Sequence, residues 1–115
     1  AGPGRWPVLT LHALGHGVID AANRRVNELR RPAAEISARL LAMKQAEIGR
    51  ALDRLERTAL EAGRVDVATI AIAVALGDLD YRFPAEAWRP GRPALAEWYR
   101  RFSNRPSMLA TMPAA

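Results

Sequence analysis

The feature that most constrains this chain is the run Asp66-Val-Ala-Thr-Ile-Ala-Ile-Ala-Val-Ala-Leu-Gly-Asp-Leu79, which carries no charge between Val67 and Gly77. A segment apolar on all sides has no face to offer to water, so it must be surrounded by the rest of the domain. Periodicity alone does not separate a buried strand from a buried helix. Length, alanine at every other position from Ala71 to Ala75, and Asp66 placed three residues before Thr69 favour a helix. Asp is a preferred N-cap acceptor, and Thr69 at the third helical position can return a bond to the cap amide. The run is therefore expected to be a capped central helix that ends before Pro84.

The flanking sequence supplies elements to wrap it. Val8, Leu11, Leu14, Val18, Ala22, Val26 and Leu29 recur at spacings of three and four, the signature of a long amphipathic helix over Val8 to Arg30. Gly15 and Gly17 are expected to weaken it locally, and Pro32 to interrupt it. Ile36, Leu40, Met43, Ile48, Leu52, Leu55 and Ala59 form the stripe of a second helix over Ile36 to Ala62, with Gly63 as its C′ residue. Phe83 to Arg92 holds Pro84, Pro90 and Gly91 and reads as a loop whose Trp88 tucks against the body. Ala94 to Asn104 is a shorter helix turning Leu95, Trp98, Tyr99 and Phe102 inward. Ala1 to Pro7 reads as a linker, and residues 8–115 as one helical domain that closes on a short segment between Pro106 and Pro113. The fold class is all-α, a bundle of four main helices, large enough at 115 residues for a real core.

Charge and composition narrow the function. The net charge of +5 rests on arginine, Lys44 being the only lysine, and the pairs Arg24/Arg25, Arg30/Arg31 and Arg100/Arg101 are separated by apolar and acidic residues. Glu35–Arg39 and Asp53–Arg57 stand at i,i+4 spacing, which reads as a self-paired solvated surface and not as a nucleic-acid footprint. Cysteine is absent, which removes disulfides, thiolate metal sites and a cysteine nucleophile and leans the protein to the cytoplasm. No stretch approaches the ~20 apolar residues of a membrane span. The chain opens Ala-Gly-Pro-Gly and not on Met, so residue 1 is read as an internal or processed start.

His12, His16 and Asp20, with Asn23 close by, share one strip of the first helix, away from its apolar stripe. Two His a turn apart can ligate zinc, but the Glu of an HExxH motif is missing and no third ligand is identifiable, so the strip reads as the polar lining of a groove or interface. No nucleophile elbow, phosphate loop or dinucleotide turn is present. Ser37, Ser103 and Ser107 read as caps or turn residues, and Tyr81, Phe83, Trp88, Trp98 and Tyr99 as core and loop anchors. The residues taken alone support a helical domain without a reaction centre.

Taken together, the pieces resemble the C-terminal helical domain of a bacterial glutathione transferase. The resemblance is carried by Asp66 through the Tyr81-Arg-Phe-Pro84 exit, by Trp88-Arg89, by Pro93-Ala-Leu-Ala-Glu-Trp-Tyr99, by the tail Phe102-Ser-Asn-Arg-Pro-Ser-Met-Leu-Ala-Thr-Met-Pro113, and by Arg31-Pro-Ala-Ala34 between the hairpin arms. Two departures stand out: Asp66 and Thr69 reverse the family's usual Ser/Thr and Asp, and Asp78 replaces a Tyr common among relatives. The resemblance implies a thioredoxin-like N-terminal domain, absent from this chain, that binds glutathione as co-substrate and activates its thiol. It implies that the helical domain walls the pocket for a small hydrophobic electrophile and supplies much of a homodimer contact, in a detoxifying protein. On that basis His12, His16, Ile19, Asp20 and Asn23 are the expected substrate-side residues. No catalytic residue, metal or cofactor is expected in this chain, and the isolated chain is expected to be inactive. The alternative is a non-catalytic scaffold module of the same fold.

Overall fold

A computed structural model describes residues 8–58, 60, 61 and 63–105. The first linker, Ala59, Ala62 and the segment after Arg105, with Pro106, Ser107 and Pro113, lie outside the described residues. Four α-helices, α1 (Val8–Leu29), α2 (Ala38–Thr58), α3 (Val67–Arg82) and α4 (Pro93–Ser103), and a 3₁₀ turn at Ala33–Glu35 make up the described regular structure, without strands.

α1 and α2 form the hairpin. Its turn is held by Glu28, whose carboxylate accepts the Ser37 amide at 2.7 Å and the Arg31 guanidinium at 3.1 Å. The Ser37 backbone bond, helped by Arg31, outweighs the cost of burial and holds the Glu28 carboxyl below its ordinary range. α2 starts two residues later than its apolar spacing suggests, because the Ser37 hydroxyl accepts the Leu40 amide and so takes the N-cap position. It also ends earlier: Leu60 and Glu61 are outside it, and Gly63 lies in a turn well past its last residue. At that end Thr58 Oγ1 donates to the Arg54 carbonyl at 2.7 Å, the back-bonding that weakens a helix where it occurs.

α3 packs chiefly on α1. Asp66 Oδ1 accepts the Thr69 amide and Thr69 Oγ1 accepts the Asp66 amide, both at 2.9 Å, so a complete capping box forms with the roles reversed. Ala68, Thr69, Ile72, Ala73, Ala75, Leu76 and Leu79 are buried. The expectation of burial on all sides does not hold, because Val67 is 65%, Ile70 41% and Val74 47% exposed. These three sit at i, i+3 and i+7, one continuous apolar face that nothing in the described chain covers.

Gly15 behaves differently from the simple weakening read from its helix propensity. It is buried, and a Cβ there would lie 3.1 Å from the Ala71 carbonyl carbon and the Ile72 nitrogen, so the missing side chain sets how closely α1 and α3 approach. Gly17 has open space around its Cα. Near the other end Arg82 Nη1 donates to Asn23 Oδ1 at 2.8 Å. With residue 15 beside 71 and residue 23 beside 82, the two helices run in the same direction.

α4 closes the bundle with Leu95, Trp98, Tyr99 and Phe102 all buried. Its N-cap residue Arg92 offers no side-chain acceptor and Pro93 has no amide hydrogen. Glu56 of α2 fills the role instead, accepting the Ala94 and Leu95 amides at 3.0 and 2.7 Å. The loop before α4 is fastened by Asp80, which accepts the Trp88 indole N–H at 3.0 Å and both ends of the Arg89 fork at 2.8 and 2.9 Å. That bond to Asp80 raises the pKa of Arg89 against its burial. Tyr99 sits beside this network, its hydroxyl buried without a partner; burial and Asp80 push the phenol up, and Arg89 offsets part of the rise.

Candidate functional site

The strip expected on α1 is partly assembled. The His12 and His16 rings lie 4.4 Å apart between centroids, tilted by 60°, with His12 half-buried and His16 exposed. Ile19 is half-buried and packs against the core, so it joins the strip to the apolar interior. Asn23 closes the strip through its bond to Arg82, and Arg82 is held in turn by Asp78, Nε to Oδ1, at 2.8 Å. The second oxygen of Asp78 is buried and has no hydrogen-bond partner.

Asp20 departs from this group. It is exposed and lines a hollow of about 470 Å³ with Asn23, Lys44 and Glu47, on the side of α1 that turns toward α2. Helix geometry explains the split. Asp20 follows His16 by four residues, another 40° of rotation, so over about two turns it stands roughly 80° from His12, while Asn23 stands roughly 20° from it. Asn23 reaches both places. Among the described residues no cluster of three or more His, Cys, Asp or Glu could hold a metal, so His12 and His16 form a pair without a third ligand.

Sequence reasoning missed Arg82 as a partner of this strip. Asp78, one helical turn before Arg82, is the local sign of an ion pair there, but a contact between α1 and α3 has no local periodicity. The two expected surface pairs also rearrange. Glu35 lies in the 3₁₀ turn and meets Arg31 at 3.7 Å, since α2 begins after it, and Asp53 meets Arg92 of the α4 approach at 2.9 Å. Other arginines are paired as well: Arg25 with Glu86, Arg64 with Asp66, Arg89 with Asp80 and Arg100 with Glu97. Much of the positive charge is thus neutralised by neighbouring carboxylates.

A strip of imidazole and amide groups on the first helix of a hairpin, beside a capped apolar helix, is a general arrangement and by itself names no family. A sequence profile described as "Glutathione S-transferase, C-terminal domain" matches residues 19–101. The chain belongs to this family. Within it, the chain is 37% identical over 110 residues to the uncharacterized GST-like protein YibF of Escherichia coli (strain K12), covering 92% of this chain and 54% of that protein. A glutathione transferase family member from Pseudomonas fluorescens Pf-5, solved with bound S-(propanoic acid)-glutathione, is 42% identical with a TM-score of 0.90 over 100% of this chain and 61% of its own. A glutathione S-transferase from Methylobacillus flagellatus KT, solved with glutathione bound, is 28% identical with a TM-score of 0.85, over 93% and 55% of the two chains. The glutathione S-transferase helical domain described here therefore spans between about half and three fifths of the length of these relatives. Among its described residues no helix is long and apolar enough to cross a membrane.

Proposed function

We propose that this chain is the helical, electrophile-side half of a glutathione transferase that joins the glutathione thiolate to a small electrophile in the cytoplasm. The observation that carries the reading is the likeness along the whole chain to a glutathione-bound family member, at 42% identity and a TM-score of 0.91. His12, His16, Ile19 and Asn23 form one wall of the electrophile pocket: Ile19 supplies apolar contact, the imidazoles and the Asn23–Arg82 pair supply polar contact at its edge. Asp20, turned toward Lys44, has a peripheral part. The glutathione-activating group belongs to a thioredoxin-like domain of the kind this family carries, and no residue of this chain performs that step.

The exposed face Val67–Ile70–Val74 of α3 supports the same reading. A helix apolar all round is stable in water only when covered. In the relatives, about two fifths or more of the length lies outside the part this chain spans, which gives them something to cover it with. The thioredoxin-like domain is the occupant we assign to this face. The intact protein is a homodimer, and it does not bind nucleic acid.

Steady-state kinetics of the helical chain fused behind the thioredoxin-like half of the Pseudomonas fluorescens relative tests the pocket. His16→Ala and Ile19→Ser are expected to raise KM for the electrophile several-fold and leave KM for glutathione unchanged. Equal effects on both, or none on either, contradict the assignment. A fusion that folds and associates but conjugates nothing favours the scaffold reading.

A further inference from the structure

We propose that the cleft beside Arg25 is a second binding site, which takes a small carboxylate carried on an apolar body about one ring across. The cleft lies between α1, α2, the end of α3 and the loop that follows it, and encloses about 150 Å³. Arg25 follows His16 by nine residues, which is half a turn of rotation, so the cleft opens on the opposite side of α1 from the strip. It is independent of the conjugation reading.

Arg25 is 6% exposed, one of the few charged residues buried in the described chain. Its Nη1 and Nη2 donate to the two oxygens of Glu86 at 2.9 and 2.7 Å, and the guanidinium lies 4.1 Å from the centre of the Phe83 ring. Glu86 thereby fills the end-on edge of the fork. On the side-on edge Nε is buried and has no hydrogen-bond partner, so a ligand must part the side chains that cover it to reach it. A buried donor left unpaired carries its full desolvation penalty, so an acceptor delivered there is favoured. A planar two-oxygen carboxylate matches the fork, as Glu86 itself demonstrates on the first edge.

The rest of the lining is mixed, and part of it suits an apolar body. Ile48, Leu52, Leu79 and Trp88 face the cleft, and its volume is about that of a cavity that accepts one benzene ring. Arg92 also lines it but is already committed, to Asp53, the Trp88 carbonyl and the Gly49 carbonyl. Arg25 is thus the recognition group, and half-exposed Glu86 on its loop sets the affinity by presenting a like charge to the ligand.

Titration of the ¹⁵N-labelled chain with benzoate, benzamide and inorganic phosphate, followed by amide and indole NMR shifts, tests this. Benzoate is expected to give saturable shifts at Gly49, Leu79 and the Trp88 indole, and benzamide and phosphate to bind at least about tenfold more weakly. Glu86→Gln, which removes a like charge and keeps the side chain's shape, is expected to tighten benzoate about tenfold. Arg25→Met is expected to abolish the shifts while retaining the helical circular dichroism; if it does not fold, Glu86→Gln and the neutral benzamide decide the matter alone. No saturable shift with Glu86→Gln, benzamide or phosphate binding as well as benzoate, or shifts centred on His12 and His16 would overturn the proposal.

Discussion

Gly15 of α1 presses its Cα against the backbone of Ala71 in α3, leaving 3.1 Å where a Cβ would meet the Ala71 carbonyl carbon. Helix propensity alone would favour alanine there by up to ~1 kcal/mol, but the contact is with backbone, which cannot turn aside. Gly15→Ala is expected to lower stability by about 1–2 kcal/mol, the overpacking range. Gly17→Ala, in open space on the same helix, is expected to raise it by up to ~1 kcal/mol. Urea unfolding of the two variants checks both signs.

Asp66 caps α3 and pairs with Arg64 at 2.6 Å. Burial pushes its carboxyl up, but Arg64 and the Thr69 and Ala68 amides outweigh this and hold it below its ordinary 3.8. Its contribution to stability is therefore present above the unfolded pKa and lost as pH falls through the lower folded value. Stability is expected to fall progressively below about pH 5, with Glu28, also held low, adding to the slope. Asp66→Asn keeps an acceptor at the cap, so its acid slope is expected to be shallower. Asp66→Ala removes the cap and is expected to cost about 1 kcal/mol at neutral pH. Thermal melts from pH 7 to pH 3 separate the two effects.

Asp80 ties the α3 end to the loop through Trp88 and Arg89, with Arg89 stacked 4.5 Å over the Trp88 ring. Asp80→Ala leaves the buried indole N–H without its acceptor. The expected result is a red-shifted tryptophan emission and a loss of about 1–2 kcal/mol, within the range for hydrogen bonds to charged groups and reduced by the partial exposure of Asp80. An unchanged emission maximum would count against Asp80 as the anchor of the loop.

Val74 projects from the uncovered face of α3. Val74→Glu is expected to change the stability of the isolated chain by no more than ~0.5 kcal/mol, as for an exposed position. In the fusion to a thioredoxin-like half it is expected to loosen the domains, read as faster proteolysis between them. A large loss of stability in the isolated chain, with domain packing intact, would show that the face is covered from within.

Much of this fold is legible in the sequence because it is local. The Asp66/Thr69 pair and the inward set Leu95, Trp98, Tyr99 and Phe102 follow from spacing of three and four residues, and Pro84 marks the exit of α3. What spacing does not carry is the partner across the bundle. Nothing near Gly15 announces Ala71, nothing near Asp53 announces Arg92, and Glu56 gives no local sign that it caps α4. The α3 face fails for a related reason: an all-apolar helix shows that cover is needed, not whether this chain supplies it. In the site, helix rotation groups His12 with His16 and sets Asp20 apart from His12, but the bond from Arg82 depends on how α3 packs.

The central claim is that this chain supplies the electrophile side of a reaction whose thiol is activated elsewhere. Glutathione conjugation of a standard aryl halide, measured on the pure 115-residue chain and on the same chain joined to a thioredoxin-like half, tests it most directly. The expected result is a rate at the uncatalysed background for the chain alone and saturable turnover for the joined protein. Robust glutathione-dependent turnover by the chain alone would contradict it.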